Sequence, residues 1–270
     1  KINMSKKRNI AVKKFTSKYI AFIDSDAYPN KNWLKLAIRY LKNKSCHVVG
    51  GPGIPFPNQS ATEKICYYSK RSYFVTGYLN FRKYKAKKRY CDWLEACNLI
   101  MERKFFLKYG GMDNKRYTGE DSEFFQRMKK KYPDLKVFYS PDLFIHHKER
   151  RMFGFFLQRF VFGMDLLNLL KFNSGFSGLQ PILPILIFIF FLILLASEIE
   201  LMSKVTIIST FILLINIAIL FNITQYVKSF KTRIFVLFTI NLANIAFALG
   251  SAITFTGLRR FIVNKIYLYS

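Results

Sequence analysis

Asp24 and Asp26 stand one residue apart at the end of a short apolar run, residues 19–23, and Pro29-Asn30 follow them. Side chains alternate along an extended chain, so the two carboxylates can face one side and share a divalent ion. Oxygen donors of this kind suit Mg2+ or Mn2+, ions that also bind phosphate oxygens. A solvated turn would produce the same two residues with no ion. A second acidic pair, Glu120-Asp121, precedes Phe124, Phe125 and Met128, which share one helical face. The pair therefore sits in the first turn of a helix, where the dipole and free backbone N–H groups stabilise carboxylates. Plain capping explains it as well as acid–base chemistry does. His146-His147 end a strand over residues 143–147. Either imidazole could ligate a metal, and both could simply face solvent.

These groups need elements to hold them. Residues 19–23 read as a buried core strand, which makes carboxylates at its end costly unless a cation or other partner compensates them. Residues 31–43 form an amphipathic helix with Asn30 as cap and Trp33, Leu34, Ala37, Ile38 and Leu41 at helical spacing. A strand at 46–49 runs into the turn Gly50-Gly51-Pro52-Gly53. Residues 61–90 are basic and tyrosine-rich, a helix followed by a loop. Residues 93–101 are mostly apolar and carry Asn98. A short helix over 102–109 stops at Gly110-Gly111, and strands follow at 135–139 and 143–147. Alternating strands and helices place the first half in the α/β class.

The chain has 270 residues, 43 Lys+Arg against 16 Asp+Glu, a formal net charge of +27, and is 51% hydrophobic. Residues 1–178 hold 36 basic and 14 acidic side chains, whereas residues 179–270 hold 7 and 2 and are otherwise almost continuously apolar. A basic part attached to apolar spans is attracted to anionic lipid head groups or phosphorylated ligands. Its cations are scattered rather than gathered on a DNA-reading motif, so nucleic acid is not expected as a partner. Cys46, Cys66, Cys91 and Cys97 show no C-x-x-C spacing, as in a reducing compartment, and spacing alone suggests no zinc site.

Arg8-Asn9, then Asp24-Ser25-Asp26, Gly50-Gly51, Asn98, Gly110-Gly111-Met112-Asp113, Gly119-Glu120-Asp121 and a late His occur in order. This ordered series over residues 8–147 resembles the family 2 glycosyltransferases. The resemblance implies a GT-A-like fold, a Rossmann-type mixed sheet. It also implies that Arg8, Asn9, Asp24 and Asp26 hold a nucleotide-diphosphate sugar, Asp24 and Asp26 through Mg2+ or Mn2+, with Asp26 the more direct ligand. His147 completes the metal shell, with His146 a close competitor. Gly51, Asn98 and Gly111 border the substrates, and Asp121, beside Glu120, is the general base. Processive synthases of this family carry Q-x-x-R-W, whereas here Gln158 is followed at those positions by Val161 and Phe162. That departure favours transfer of single sugars.

Residues 152–171 alternate aromatic and aliphatic residues with Gln158, Arg159, Asp165 and Asn168, which suits an interfacial amphipathic helix or a core helix. Residues 172–197, 205–224 and 234–257 carry no charge, enough for about three crossings of roughly 30 Å of hydrocarbon. Lys228, Lys231 and Arg233 between the last two spans place that loop and the catalytic domain in the cytoplasm, although Arg259, Arg260 and Lys265 then fall outside against the rule. Residues 1–150 thus read as the catalytic domain, 151–178 as interfacial helix and linker, and 179–270 as the membrane region. The aspartate strand of such a domain lies mid-sheet. At 30 or more residues per strand–helix–strand unit, on the order of 80 residues are expected before Lys1, and without them donor binding is expected to be weak. The resulting expectation is a membrane-anchored inverting hexosyltransferase acting on a lipid-linked or cell-envelope glycan. Its rival is a non-catalytic basic membrane protein that binds anionic lipid or nucleic acid.

Overall fold

The computed structural model describes residues 3–43, 45–116, 118–167, 170, 182–254, 256 and 262. In chain order the elements begin with α1 (Met4–Lys14), β1 (Tyr19–Ile23), β2 (Ala27–Pro29), α2 (Trp33–Lys42), β3 (Val48–Gly50) and β4 (Gly53–Pro55). Next come α3 (Ala61–Arg71), α4 (Tyr73–Thr76), β5 (Arg89–Cys91), β6 (Asn98–Glu102) and α5 (Arg103–Lys108). Then follow α6 (Glu120–Lys131), β7 (Val137–Tyr139), β8 (Ile145–His147), α7 (Met152–Met164), α8 (Leu183–Ala196), α9 (Leu201–Thr224) and α10 (Phe230–Ile253). They divide into two compact units, one drawn from Lys1–Gln59 and Phe81–Glu149, the other from Ser60–Asn80 and Arg150–Ile266.

The first unit holds a five-stranded mixed sheet in the order β1-β6-β3-β7-β5. Only β3 and β7 run parallel; β6 is antiparallel to both β1 and β3. On one face Trp33, Ala37 and Leu41 of α2 pack with Val49, Ile100, Leu143 and Ile145. Strand alternation sends Leu99 and Met101 the other way, where both are fully buried. The rings of Phe22, Phe106 and Phe124 form a chain of contacts at 5.4 and 5.0 Å. One expectation needs correction. The run expected to be buried is only partly so: among the described residues β1 pairs with β6, Ile20 is buried, and Ala21 and Ile23 are exposed.

A second sheet, β2-β8-β4, carries the ends of the loops. β8 runs antiparallel to β2, with Ala27 opposite His147 and Tyr28 opposite His146. Gly51 fixes the approach to β8, because a Cβ there would strike the Leu143 carbonyl oxygen and lie 2.6 Å from that of Ser140. Backbone cannot retreat as a flexible side chain can. Gly51→Ala is therefore expected to cost at least about 1–3 kcal/mol by overpacking. A lowered urea midpoint of the first unit would register it, and an unchanged midpoint would mean that the 140–143 turn yields freely.

In the second unit α3 opens with a capping box between Ser60 and Glu63. Cys66 and Val75 join Phe155, Ile219, Ile223, Val227, Val236, Ile240 and Ala243 in one apolar core. α7 crosses α10 with backbones in contact, since a Cβ on Gly163 would strike the Phe247 carbonyl and one on Gly250 the Phe160 carbonyl. α9 and α10, of 24 residues each, are long and apolar enough to cross a membrane. Asn241 Nδ2 donates to Asn216 Oδ1 at 2.8 Å, joining these two helices inside their apolar stretch. Of the span expected over 172–197, α8 covers 14 residues, and residues 172–181 lie outside the described residues.

Candidate active site and metal centre

The chain turns sharply after β1, with Ala27 N–H donating to the Asp24 carbonyl at 3.1 Å, and this turn carries Asp24 and Asp26. The end of β8 is tied to it by Lys148 N–H, which donates to the Asp26 carbonyl at 3.1 Å. That tie and the β2–β8 register bring His147 Nε2 to 3.4 Å from Asp24 Oδ2 and 3.6 Å from Asp26 Oδ1. His147 Nδ1 lies 2.8 Å from the Lys148 carbonyl. A carbonyl can only accept, so Nδ1 carries a proton; Nε2 hydrogen-bonds the Asp24 carboxylate while it is protonated too, and is open to a metal once that second proton leaves. Burial works against a charged His147, but Asp24 and Asp26 outweigh it and lift its pKa. The His147 hydrogen bond lowers that of Asp24, burial opposes this, and Arg8 adds to it.

Arg8, on α1, bridges two acidic groups. Its Nη2 lies 3.2 Å from Asp24 Oδ1 and its Nη1 2.9 Å from Glu120 Oε1. Asn9, one residue on, does something different. Its Nδ2 donates to the Met112 carbonyl at 2.7 Å and its Oδ1 accepts from Met112 N–H at 3.0 Å. Gly111 is adjacent at φ 68°, and a Cβ there would lie 2.5 Å from Asn9 Oδ1. Asn9 and Gly111 thus fasten the loop to α1.

Glu120 and Asp121 open α6 after Gly119, whose φ of 64° is left-handed. Asp121 Oδ1 accepts from Ser122 N–H at 2.9 Å and Oδ2 from Ala96 N–H at 3.3 Å. Burial, reinforced by the negative charge of Glu120, pushes the Asp121 pKa up to about 7. A carboxyl poised there exchanges protons readily near neutral pH.

The turn before β6 connects these two clusters. Ala96 touches Asp121, and Cys97 is grouped with Asp24 and His147, their ligand atoms all within 4.8 Å of one another. Glu95 receives Lys83 Nζ at 2.8 and 2.9 Å. Burial alone would raise the Glu95 pKa, but Lys83 and Arg82 hold it near 2.

Residues 3–106 match the family model for glycosyl transferase family 2. Over that stretch the chain is similar to the glycosyltransferases of family 2. The matched stretch includes Arg8, Asn9, Asp24, Asp26, Gly51 and Asn98, while Gly111, Glu120, Asp121, His146 and His147 lie beyond it. No curated protein gives a significant match to the chain.

Of the expected site residues, Arg8 joins Asp24 to Glu120, His147 meets Asp24 and Asp26, and Asp121 is held by Ala96 of the turn at 95–97. Besides Asn9 and Gly111, which fasten the loop, three expected site residues stand apart. His146 points to the opposite face of β8, where Nδ1 lies 2.9 Å from the Pro55 carbonyl and the ring packs 4.8 Å from that of Tyr28. Asn98 is buried and joins elements, accepting from Trp33 Nε1 at 2.8 Å and donating to the Leu143 carbonyl at 2.7 Å. Gly51 lies under the 140–143 turn. Conversely, Glu95, Cys97 and Lys83 reach the candidate site unannounced. The one local signal was a carboxylate and a thiol inside a mostly apolar stretch.

The donors fit a divalent cation. Two carboxylates and an imidazole freed at Nε2 are groups that Mn2+ accepts, and Asp24, Asp26 and His147 could hold it.

Proposed function

We propose that this protein is a membrane-anchored, inverting hexosyltransferase. It moves a sugar from a nucleotide-diphosphate donor to a lipid-linked or cell-envelope glycan. The observation that carries this reading is the short turn at 95–97. It holds Asp121, its pKa pushed up to about 7, through Ala96, and sets Cys97 beside Asp24 and His147. Asp121 takes the proton from the acceptor hydroxyl as that oxygen attacks the anomeric carbon. The carbon–oxygen bond to the diphosphate breaks on the opposite face, inverting the centre without a covalent enzyme intermediate. A divalent cation on Asp24, Asp26 and His147 would neutralise the charge gathering on the departing diphosphate. Arg8 keeps the donor-side carboxylate and the Glu120 end of α6 in one frame.

The membrane anchor rests on α9 and α10. Leu201 and Phe221 are 71% and 72% exposed, which suits lipid better than water. Lys228, Lys231 and Arg233 flank the connection between these helices, so the positive-inside rule places it with the catalytic unit in the cytoplasm.

The test is sugar release from a panel of UDP-, GDP- and dTDP-hexoses by the full-length protein. Turnover of at least one donor, an inverted product, loss on chelation and recovery with Mn2+ are expected. Tight binding to anionic vesicles with no turnover of any donor would instead identify a non-catalytic basic membrane protein.

A further inference from the structure

Asp24 and His147 belong to two donor sets at once. Asp26 completes one of them with oxygen and Cys97 completes the other with sulfur. The oxygen-rich set suits Mn2+ or Mg2+. Asp24, Cys97 and His147 instead offer one oxygen, one sulfur and one nitrogen, three ligands of a kind and number found around Zn2+ with a fourth position open. We infer that Asp24, Cys97 and His147 form a Zn2+ site that excludes the cation used in transfer. The inference rests on the reading of Asp24 and His147 as metal ligands given above.

The geometry supports it in three ways. The ligand atoms already lie within 4.8 Å of one another, close enough to converge on one small ion. His147 Nδ1 is fixed on the Lys148 carbonyl, the outer-shell bond that turns Nε2 toward a metal. Cys97 Sγ donates to Glu95 Oε2 at 4.0 Å, which holds the sulfur beside the other two ligands, although burial and then Glu95 push its thiol pKa well up. On binding, the Cys97 S–H bond breaks, the sulfur electron pair goes to Zn2+, and the proton leaves to solvent. No electron is transferred and no oxidant is needed. Because Asp24 and His147 are shared, the two ions compete for one place. Divalent zinc stands above manganese in the order of intrinsic affinities, so Zn2+ displaces Mn2+ at equal concentration.

The experiment uses the metal-stripped full-length protein with Co2+ as a spectroscopic stand-in for Zn2+. A thiolate-to-cobalt charge-transfer band is expected, and it should bleach as Zn2+ is added. Cys97→Ser should remove the band and weaken Zn2+ by more than the about 10–100-fold that loss of an outer-shell partner costs, with Mn2+ affinity held at the wild-type value. Asp26→Ala should do the reverse, weakening Mn2+ and sparing Zn2+. A wild-type Co2+ complex without the thiolate band overturns the inference with no variant needed. So does a Cys97→Ser protein that binds Zn2+ as the wild type does. None of these readouts uses a nucleotide sugar. Failure of transfer would therefore count against the glycosyltransferase mechanism alone, and a missing thiolate band beside intact Mn2+-dependent transfer would count against the zinc site alone.

Discussion

Asp121→Asn is expected to lower transfer by about 10²–10⁴-fold while donor binding persists, the usual worth of a positioned general base. The same substitution should change how stability depends on pH. An unfolded Asp loses its proton near 3.8, whereas Asp121 in the folded protein holds it to about 7. Native protein therefore binds the extra proton across that interval. The stability it gives the wild type is complete below pH 3.8, is lost as pH rises to about 7, and changes no further above that. Asp121→Asn removes the slope, so its stability relative to wild type should climb through that window and then level off. A constant offset of about 1–3 kcal/mol is superimposed, because an amide accepts through one oxygen and leaves Ala96 N–H or Ser122 N–H without an acceptor. Wild-type kcat/KM should rise through an apparent pKa near 7, and the residual rate of the variant should not. Near-normal turnover by the variant would reduce Asp121 to a helix-capping residue.

Asp24→Ala should be the most damaging change on the donor side. Asp24 is held by both Arg8 and His147 and stands in both proposed cation sets, whereas Asp26 is 51% exposed and stands in one. A cation that stabilises transition-state charge by several kcal/mol corresponds to on the order of 10³-fold in rate, and Asp24→Ala should forfeit that amount. Mn2+ titrations followed by electron paramagnetic resonance would check it directly. Wild-type Mn2+ affinity in Asp24→Ala would remove this carboxylate from the metal centre. Retained Mn2+ binding with lost Zn2+ binding is not expected from any shared-ligand arrangement.

Much of the first unit could be read along the chain because its signals are local. Trp33, Ala37 and Leu41 announce α2 by spacing alone. The start of that helix falls later than Asn30 suggests, because the Asn30 side chain accepts from Asn32 N–H and donates to the Asp142 carbonyl instead of capping. Residues 19–23 show the limit of such reading. Their apolar run says strand, which β1 is, but nothing in it tells which side chains are covered, and Ala21 and Ile23 are exposed. Cys97 shows it again. Spacing rules recognise metal sites whose ligands share one loop, and Asp24, Cys97 and His147 come from three separate parts of the chain. Asn98 and Gly51 were legible as special positions. Which contacts make them special, with Trp33 and with the 140–143 turn, depends on tertiary packing.

The pairing of β8 has a consequence for how information is stored in this site. His146 and His147 are chemically identical and adjacent, yet one meets two carboxylates and the other meets a proline carbonyl and a tyrosine ring. No property of imidazole separates them. What separates them is parity: Ala27 lies across from His147, and a shift of one residue in the β2–β8 ladder would exchange their roles. The turn at 140–143, which passes close over Gly51, leads into that strand. The pairing register therefore specifies which of two equal side chains is chemically addressed, as a reading frame specifies which of several equal letters begins a word.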